Sequence, residues 1–147
     1  MDIKKLKHGE TADFSALVKI FKEVFENDEA VADAAQLEKL LSNPDFMVFV
    51  VTVNNEVIGG LTVYVIHRYY QSKPIAYVYD VGVKPNFQGK GYGKALMAAV
   101  CDYCKKHGFE EAYVEAEADD VDADAVEFYR KTNFSTEMNA THFTYSF

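Results

Sequence analysis

The sequence predicts a mixed α/β fold in a single domain that spans residues 1–147. Two observations predict this class. Apolar residues switch between helical spacing and short strand-like runs along the whole chain, in the order β α α β β β α β α β β. In addition, no stretch rich in proline, glycine or serine divides the chain, and 147 residues suit one domain. We therefore expect a mixed, mostly antiparallel sheet of six to seven strands with about four helices.

The first half of the chain predicts a short strand, two helices and a hairpin. Apolar side chains repeat at helical spacing in the two helices, and the strands are apolar runs bounded by turn residues. Two adjacent asparagines, which favour tight turns, join the strands of the hairpin. The predicted elements are a strand at 3–6, helices at 14–25 and 37–41, and hairpin strands at 46–53 and 57–66.

The second half alternates strands and helices and ends with two strands. Gly108 follows the longer helix at a position where a helix commonly ends, and β-branched and aromatic residues fill the strands. The predicted elements are strands at 75–83 and 112–116, helices at 91–107 and 122–132, and strands at 134–138 and 141–147.

Composition and charge exclude several classes of function. A net charge of −8 disfavours nucleic acid as a partner, and no apolar run is long enough to cross a membrane. The first ten residues lack the apolar core of a secretory signal, so we expect a cytoplasmic protein. Cys101 and Cys104 stand alone within a predicted helix, and we interpret them as ordinary helix residues rather than a metal or redox site.

A glycine-rich turn joins the strand at 75–83 to the following helix and predicts an anion site. Glycines at 89, 91 and 93 allow backbone N–H groups to converge, and the helix start adds unpaired donors and positive dipole. Lys90 and Lys94 add positive charge. The turn matches neither the P-loop pattern nor the dinucleotide fingerprint, because Gln88 and Lys94 occupy positions where those motifs need glycine.

The turn does match the pattern Q-x-x-G-x-G, as Gln88, Gly91 and Gly93 after an apolar strand, and so resembles the pyrophosphate loop of the GNAT superfamily of N-acetyltransferases. A second stretch, residues 125–134, is similar to the superfamily pattern A-x-x-F-Y-x-x-x-G-F. It departs at Asn133, where the family usually has glycine. Asparagine also tolerates positive φ, so the substitution is compatible with the pattern.

This resemblance implies that acetyl-CoA binds in a gap where the strand at 77–83 splays from its neighbour at 113–117 in the centre of the sheet. It also implies that the Val81 N–H stabilises the oxyanion and that Tyr129 protonates the departing thiolate. A tyrosine on an amphipathic helix is otherwise a core aromatic. The cofactor-binding residues implied by the resemblance are Val81, Val83, Gln88, Gly89, Lys90, Gly91, Tyr92, Gly93, Lys94, Ala125, Phe128 and Tyr129.

Within the superfamily, the chain most resembles the aminoglycoside 3-N-acetyltransferase branch. The stretches that carry this resemblance are 24–28, 40–42, 77–83, 118–120 and 142–143. It implies a cationic amine substrate, most simply an aminoglycoside acetylated at its 3-amino group. The alternatives are a polyamine, an amino acid or a protein amine as acceptor, or a non-catalytic acyl-CoA-binding module. A homodimer is compatible with the superfamily, although no contact surface is evident in the sequence.

Carboxylates near the predicted gap suit a cationic substrate. Asp80, a charged residue within an apolar strand, is either a general base or ammonium anchor, or else a structural hydrogen-bond acceptor for a strand bulge. The acidic stretch 110–124 contributes carboxylates that either attract a polycation or cap the next helix. The predicted substrate-binding residues are Asp28, Glu29, Asp80, Asp119, Asp120 and Asp122.

Overall fold

The computed structural model describes residues 1–117 and 123–147. They fall into two units, Met1–Glu115 and Ala116–Phe147. That the whole chain forms a single domain stays a prediction.

Five strands of the first unit form one mixed sheet. Its order is β1-β2-β3-β4-β5, with antiparallel pairs from β1 to β4 and a parallel pair between β4 and β5. The strands are β1 Asp2–Lys5, β2 Phe46–Val53, β3 Glu56–Arg68, β4 Gln71–Val83 and β5 Glu111–Val114. The predicted α/β class and the predicted positions of these five strands are therefore confirmed.

The described residues contain four α-helices, as the sequence predicts. Three belong to the first unit, and a short 3₁₀ turn at Pro85–Phe87 precedes the third; the fourth lies in the second unit. The helices are α1 Thr11–Val24, α2 Ala34–Leu41, α3 Tyr92–Lys106 and α4 Ala123–Arg130. None of the helices in the described part of the chain is both long and apolar enough to cross a membrane.

The core of the first unit fills both faces of the sheet. On one face, α1 and α2 pack their apolar side chains against β2, with Leu17, Val48 and Val50 fully buried. On the other face, α3 packs against the sheet, and its Tyr103 ring lies 5.6 Å from the ring of Phe49. Burial on two faces explains why β2 is an almost continuous apolar run.

A tight turn precedes β3, and a bulge interrupts the pairing of β3 with β4. Asn54 and Asn55 adopt positive φ values of 50° and 64° and form the tight turn that the sequence predicts between β2 and β3. Further along, Leu61 lies opposite Val81 and Val63 lies opposite Val78. Because Tyr79 and Asp80 both oppose Thr62, β4 contains a bulge there, and both side chains reach the same face of the sheet.

The predicted strands at 134–138 and 141–147 are wrong for this structure. Residues 134–147 are all described and form neither helix nor strand, so the described chain has five strands rather than six to seven. A segment with strand propensity is not a strand until another strand accepts its hydrogen bonds. In consequence, the β4–β5 pair lies at the edge of the described sheet rather than at its centre.

Candidate active site

The second half of β4 offers an open backbone edge. The parallel pair extends only from Ile75–Val78 to Glu111–Val114, whereas β4 continues for five further residues. In the described part of the first unit, Tyr79–Val83 therefore have no neighbour on the β5 side. The β4–β5 pairing ends at Val78 and Val114, and the predicted splay of the strand at 77–83 from its neighbour at 113–117 stays a prediction.

Hydrogen bonds to β3 determine which backbone groups of β4 face its open edge. Lys84 and Asp80 donate their N–H groups toward β3, to a backbone carbonyl over 2.8 Å and to the Thr62 hydroxyl over 3.3 Å. Because N–H groups alternate between the two edges of a strand, the N–H groups of Val81 and Val83 point to the other edge. The GNAT resemblance implies that the backbones of these two valines contact the cofactor, and this stays a prediction.

The glycine-rich turn holds a helix N-terminus next to the end of β4. Gly89 and Gly91 have φ values of 74° and 91°, a conformation that disfavours residues with a Cβ atom. Gln88 donates its side-chain amide to the carbonyl of Val83 over 2.9 Å and so ties the turn to the strand. The Gln88 side chain therefore holds the glycine-rich turn against the end of β4.

The first turn of α3 presents unpaired backbone donors. Gly91 is the N-cap, and no side chain caps the helix; the first intrahelical bond joins the Ala95 N–H to the Gly91 carbonyl over 3.0 Å. The N–H groups of residues 92–94 precede that bond and remain available to an anion. Lys90 and Lys94 are both exposed at this site, and Lys90 also lies 5.6 Å from the ring of Phe87.

A cleft of about 410 Å³ lies on the α1 side of the sheet, within the first unit. Its volume is in the range of small-molecule sites. Asp80 and Glu29, two of the predicted substrate residues, both line it, whereas Asp28 does not. The aromatic residues that line it are Phe14, Phe21, Phe25, Phe46, Tyr64 and Tyr79.

Tyr64 of this cleft belongs to a row of aromatic rings that crosses the sheet. Phe46, Tyr64, Tyr77 and Tyr113 occupy matching register positions on β2 to β5. Ring centroids lie 5.2 Å apart for Phe46 and Tyr64, and 4.7 Å apart for the stacked pair Tyr77 and Tyr113. Tyr79, placed beside this row by the bulge, contacts both Tyr64 and Tyr77 at 5.4 and 5.6 Å. The row ends at Glu115, whose carboxylate accepts a hydrogen bond from the Tyr77 hydroxyl over 3.4 Å.

The sequence analysis did not assign Tyr64, Tyr77 or Tyr79 to the site. The alternation of Tyr77 and Tyr79 along β4 signals that they share a face, but the bulge and the register with Tyr64 follow only from the folded sheet. Tyr64 and Tyr79 are 41 % and 54 % exposed, so their rings form part of the accessible cleft wall.

Asp80 is the acidic group most affected by this environment. Burial raises the pKa of its carboxyl group above the ordinary value of 3.8. Among the described residues no ion pair or hydrogen bond satisfies that carboxylate; only the backbone N–H of Asp80 is bonded, to Thr62. Burial raises the pKa of the Tyr64 hydroxyl, and the nearby Tyr79 and Asp80 raise it further. The cleft therefore combines aromatic faces with an uncompensated carboxylate, which suits a cation.

The predicted residues of the second unit lie on α4 or outside the described chain. Ala125, Phe128 and Tyr129 are partly buried on α4, and the rings of Phe128 and Tyr129 are 5.1 Å apart. Their assignment to the cofactor site stays a prediction. Asp119, Asp120 and Asp122 fall in 118–122, outside the described residues.

A comparison with protein families identifies the superfamily. The model of the acetyltransferase (GNAT) family matches residues 14–134, most of the chain. The chain belongs to the GNAT family. Enzymes of this family are acetyltransferases whose acetyl donor is acetyl-CoA, in agreement with the predicted enzyme class and cofactor.

The relatives of this GNAT chain are named for different acceptors. The crystal structure of meta-AAC0020, an aminoglycoside acetyltransferase from an uncultured soil metagenomic sample, was solved in complex with sisomicin. It is 39 % identical with a TM-score of 0.93, and the alignment covers 99 % of this chain and 95 % of that one. Aminoglycoside N(6')-acetyltransferase type 1 of Stenotrophomonas maltophilia is 28 % identical over 112 residues, which cover 74 % of this chain and 72 % of that protein.

Mycothiol acetyltransferases match a shorter part of the chain. That of Saccharomonospora viridis is 42 % identical over 64 residues, which cover 44 % of this chain and 20 % of that protein. The chain spans between a fifth and a third of the length of the three mycothiol acetyltransferases that it matches.

Proposed function

We propose that this GNAT enzyme transfers the acetyl group of acetyl-CoA to a primary amine of an aminoglycoside, at the 3-amino position. The observation that carries the proposal is the cleft in which the carboxylate of Asp80, unpaired among the described residues, lies among exposed tyrosine rings. An aminoglycoside is a polycation, and each of its ammonium groups is attracted by carboxylates and by aromatic faces.

The first unit has the features that acetyl-CoA needs. Unpaired N–H groups at the start of α3, with Lys90 and Lys94, suit a pyrophosphate. The open edge of β4 offers backbone groups at Val81 and Val83 to an extended amide-bearing arm, which would pair with it as an added strand does. When bound, acetyl-CoA supplies an acetyl group activated as a thioester.

The residues of the chain have distinct roles in this proposal. Asp80 binds the ammonium form of the acceptor and, directly or through a water molecule, accepts the proton that the amine must lose. Its raised pKa makes it a better base than an exposed aspartate. The Val81 N–H, on the edge of β4 that faces away from β3, donates to the thioester carbonyl oxygen in this proposal. Tyr129 returns a proton to the thiolate, for which a phenol is suitably matched in pKa.

The remaining predicted carboxylates would attract the cationic substrate through their electrostatic field. Glu29 lines the cleft, and Asp28 precedes it on the same loop. Together with Asp119, Asp120 and Asp122, they would raise the local concentration of a polycation. Such long-range attraction is screened by salt, so the KM for the acceptor should rise with ionic strength while kcat changes little.

The acceptor is supported by two relatives whose names specify aminoglycosides. One of them is named for the 6' position, so the position of transfer needs its own measurement. Polyamines, amino acids and lysine peptides carry the same ammonium group and are the competing acceptors.

The test is a screen in which thiol release from acetyl-CoA is measured with each acceptor class. We expect aminoglycosides to give the highest kcat/KM, and we expect mass spectrometry and NMR of the product to place the acetyl group on the 3-amino nitrogen. Reactions without acceptor provide the blank for thioester hydrolysis. Faster turnover of spermidine or a lysine peptide would refute the aminoglycoside assignment, and acetylation at another nitrogen would refute the position alone.

A further inference from the structure

Thr62 is a polar residue in a part of β3 where the other buried side chains are apolar. Its neighbours Leu61 and Val63 are fully buried, and Thr62 is the one polar residue among the described residues that is buried, with 6 % of its surface exposed. A buried hydroxyl costs free energy unless it is hydrogen-bonded, whereas a valine of nearly the same shape carries no such cost. The hydroxyl at this position therefore points to a specific partner.

The partner of the Thr62 hydroxyl is the backbone of the bulge in β4. Its Oγ1 atom accepts a hydrogen bond from the Asp80 N–H over 3.3 Å. The two neighbours of Thr62 on β3 pair with Val81 and Val78, so two residues of β4 lie opposite Thr62 instead of one. A bulge leaves its extra residue without a partner in the ladder of backbone hydrogen bonds. The Thr62 side chain supplies the acceptor that the ladder lacks there.

This hydrogen bond fixes the direction of two groups of β4. Because N–H groups alternate between the edges of a strand, an Asp80 N–H that points toward β3 directs the Val81 N–H to the open edge. The bulge also keeps the Asp80 side chain on the cleft side. In a regular ladder continued from Val78, Asp80 would pair with Leu61 and lie on the other face of the sheet, where both of these apolar residues are fully buried.

We propose that Thr62 is a positioning residue for acetyl transfer, whose hydroxyl holds the bulge so that the Asp80 carboxylate faces the cleft and the Val81 N–H faces the open edge of β4. This inference rests on the roles given to Asp80 and Val81 in the proposed function. Thr62 acts through the backbone of β4 rather than through the substrate. Without its hydroxyl the Asp80 N–H loses its acceptor and the bulge can adopt other arrangements, so a smaller fraction of molecules holds both groups in place.

The test compares Thr62→Val, which removes the acceptor and nearly keeps the shape, with Thr62→Ser, which keeps the hydroxyl. Thiol release is measured with the acceptor that the wild-type enzyme turns over fastest. We expect Thr62→Val to lower kcat by about tenfold and to raise neither KM by more than about threefold, and Thr62→Ser to stay within about threefold of the wild-type kcat. Thr52→Val, on β2 and outside the cleft, is the matched control and should keep the wild-type rate.

Two NMR measurements on the free protein report the bulge without any acceptor. We expect the Asp80 amide hydrogen to exchange about tenfold faster in Thr62→Val than in the wild type, and at nearly the wild-type rate in Thr62→Ser. In Thr62→Val we also expect the pKa of the Asp80 carboxyl group to fall toward 3.8, because a carboxyl group released from the cleft wall is better hydrated. The charged and titratable groups that line the cleft with Asp80 are the same in every variant: Lys22, Glu29, Tyr64 and Tyr79.

A wild-type kcat in Thr62→Val would overturn the role of Thr62, and so would a Thr62→Ser variant as slow as Thr62→Val. A slow Thr62→Val whose Asp80 amide and carboxyl group behave as in the wild type would also overturn it, as would a higher acceptor KM with unchanged kcat, the sign of direct contact with substrate. Circular dichroism checks the fold, and Thr62→Ala, which also removes the acceptor, replaces the valine variant if that one does not fold. If the wild-type enzyme acetylates no acceptor, the proposed function itself fails, whereas failure of Thr62 alone appears as unchanged exchange and titration in an active enzyme.

Discussion

Asp80 should lower the stability of the protein at neutral pH while it supports the reaction. Its carboxylate is partly buried and has no described partner, so the charged form is poorly solvated in the folded state. Partial removal from water disfavours the charged form of a carboxyl group, and an asparagine carries no charge. Because Asp80 stays partly exposed, we expect Asp80→Asn to raise the free energy of unfolding by only about 1 kcal/mol. For a chain of this size that corresponds to a rise in Tm of about 3 °C.

The raised pKa of Asp80 determines whether the stability of the protein rises or falls with pH. The pKa of Asp80 is near 3.8 in the unfolded chain and higher in the folded protein, so the folded state binds the proton more tightly. The wild-type protein therefore loses stability as pH rises through the interval between the two pKa values. An asparagine does not ionise, and the advantage of Asp80→Asn should grow from about pH 4 upward and then level off.

The assay combines urea unfolding at pH 4.5 and pH 7.5 with the rate of thiol release at pH 7.5. We expect the variant to be more stable at the higher pH and slower in acetyl transfer by about 10²-fold or more, the usual effect of losing a general base. Asp102→Asn, at an exposed position on α3, is the matched control and should change neither quantity. A variant that is destabilised at pH 7.5, or that retains the wild-type rate, would refute the reasoning.

Two further predictions follow from Tyr129 and from the glycines of the sheet. Tyr129→Phe should slow thiol release by about 10²-fold and leave the Kd for acetyl-CoA, measured by calorimetry, nearly unchanged; an unaltered rate would exclude the acid role. Gly60→Ala should lower the free energy of unfolding by about 1–3 kcal/mol in urea titrations, because its Cβ would lie 2.4 Å from the Phe49 carbonyl oxygen. Gly82→Ala meets the movable ring of Phe21 at 2.9 Å and should lose less; a larger loss at Gly82 than at Gly60 would contradict this account.

Local sequence patterns were sufficient to predict the elements whose hydrogen bonds join residues close together in the sequence. The helical spacing of residues 14–25 and the two asparagines at 54–55 predict α1 and the first hairpin, and both are present. The segment 141–147 shows where such reasoning fails. Its alternation is that of a strand, but a strand exists only if another strand lies alongside it, and sequence spacing does not specify that neighbour.

Some features of the candidate site could likewise be predicted from the sequence, and others could not. The glycine turn at 89–93 is predictable, since its positive φ values and the uncapped start of α3 depend on residues next to one another. Asp80 can be singled out as a charge in an apolar strand. Its neighbours could not be predicted: Tyr64 is on a different strand, and the bulge opposite Thr62 brings Tyr79 to the same face.

By itself, the sequence determined the α/β class, the order of most elements, the anion-binding turn and the GNAT resemblance, because each is encoded over a few consecutive residues. Only the tertiary structure decided that the β4 edge is open beyond Val78 and that the cleft joins Asp80 to an aromatic wall. The physical reason is that strand register, bulges and burial depend on contacts between residues far apart in the chain, and these contacts set both the solvation of a carboxylate and the surface that it faces.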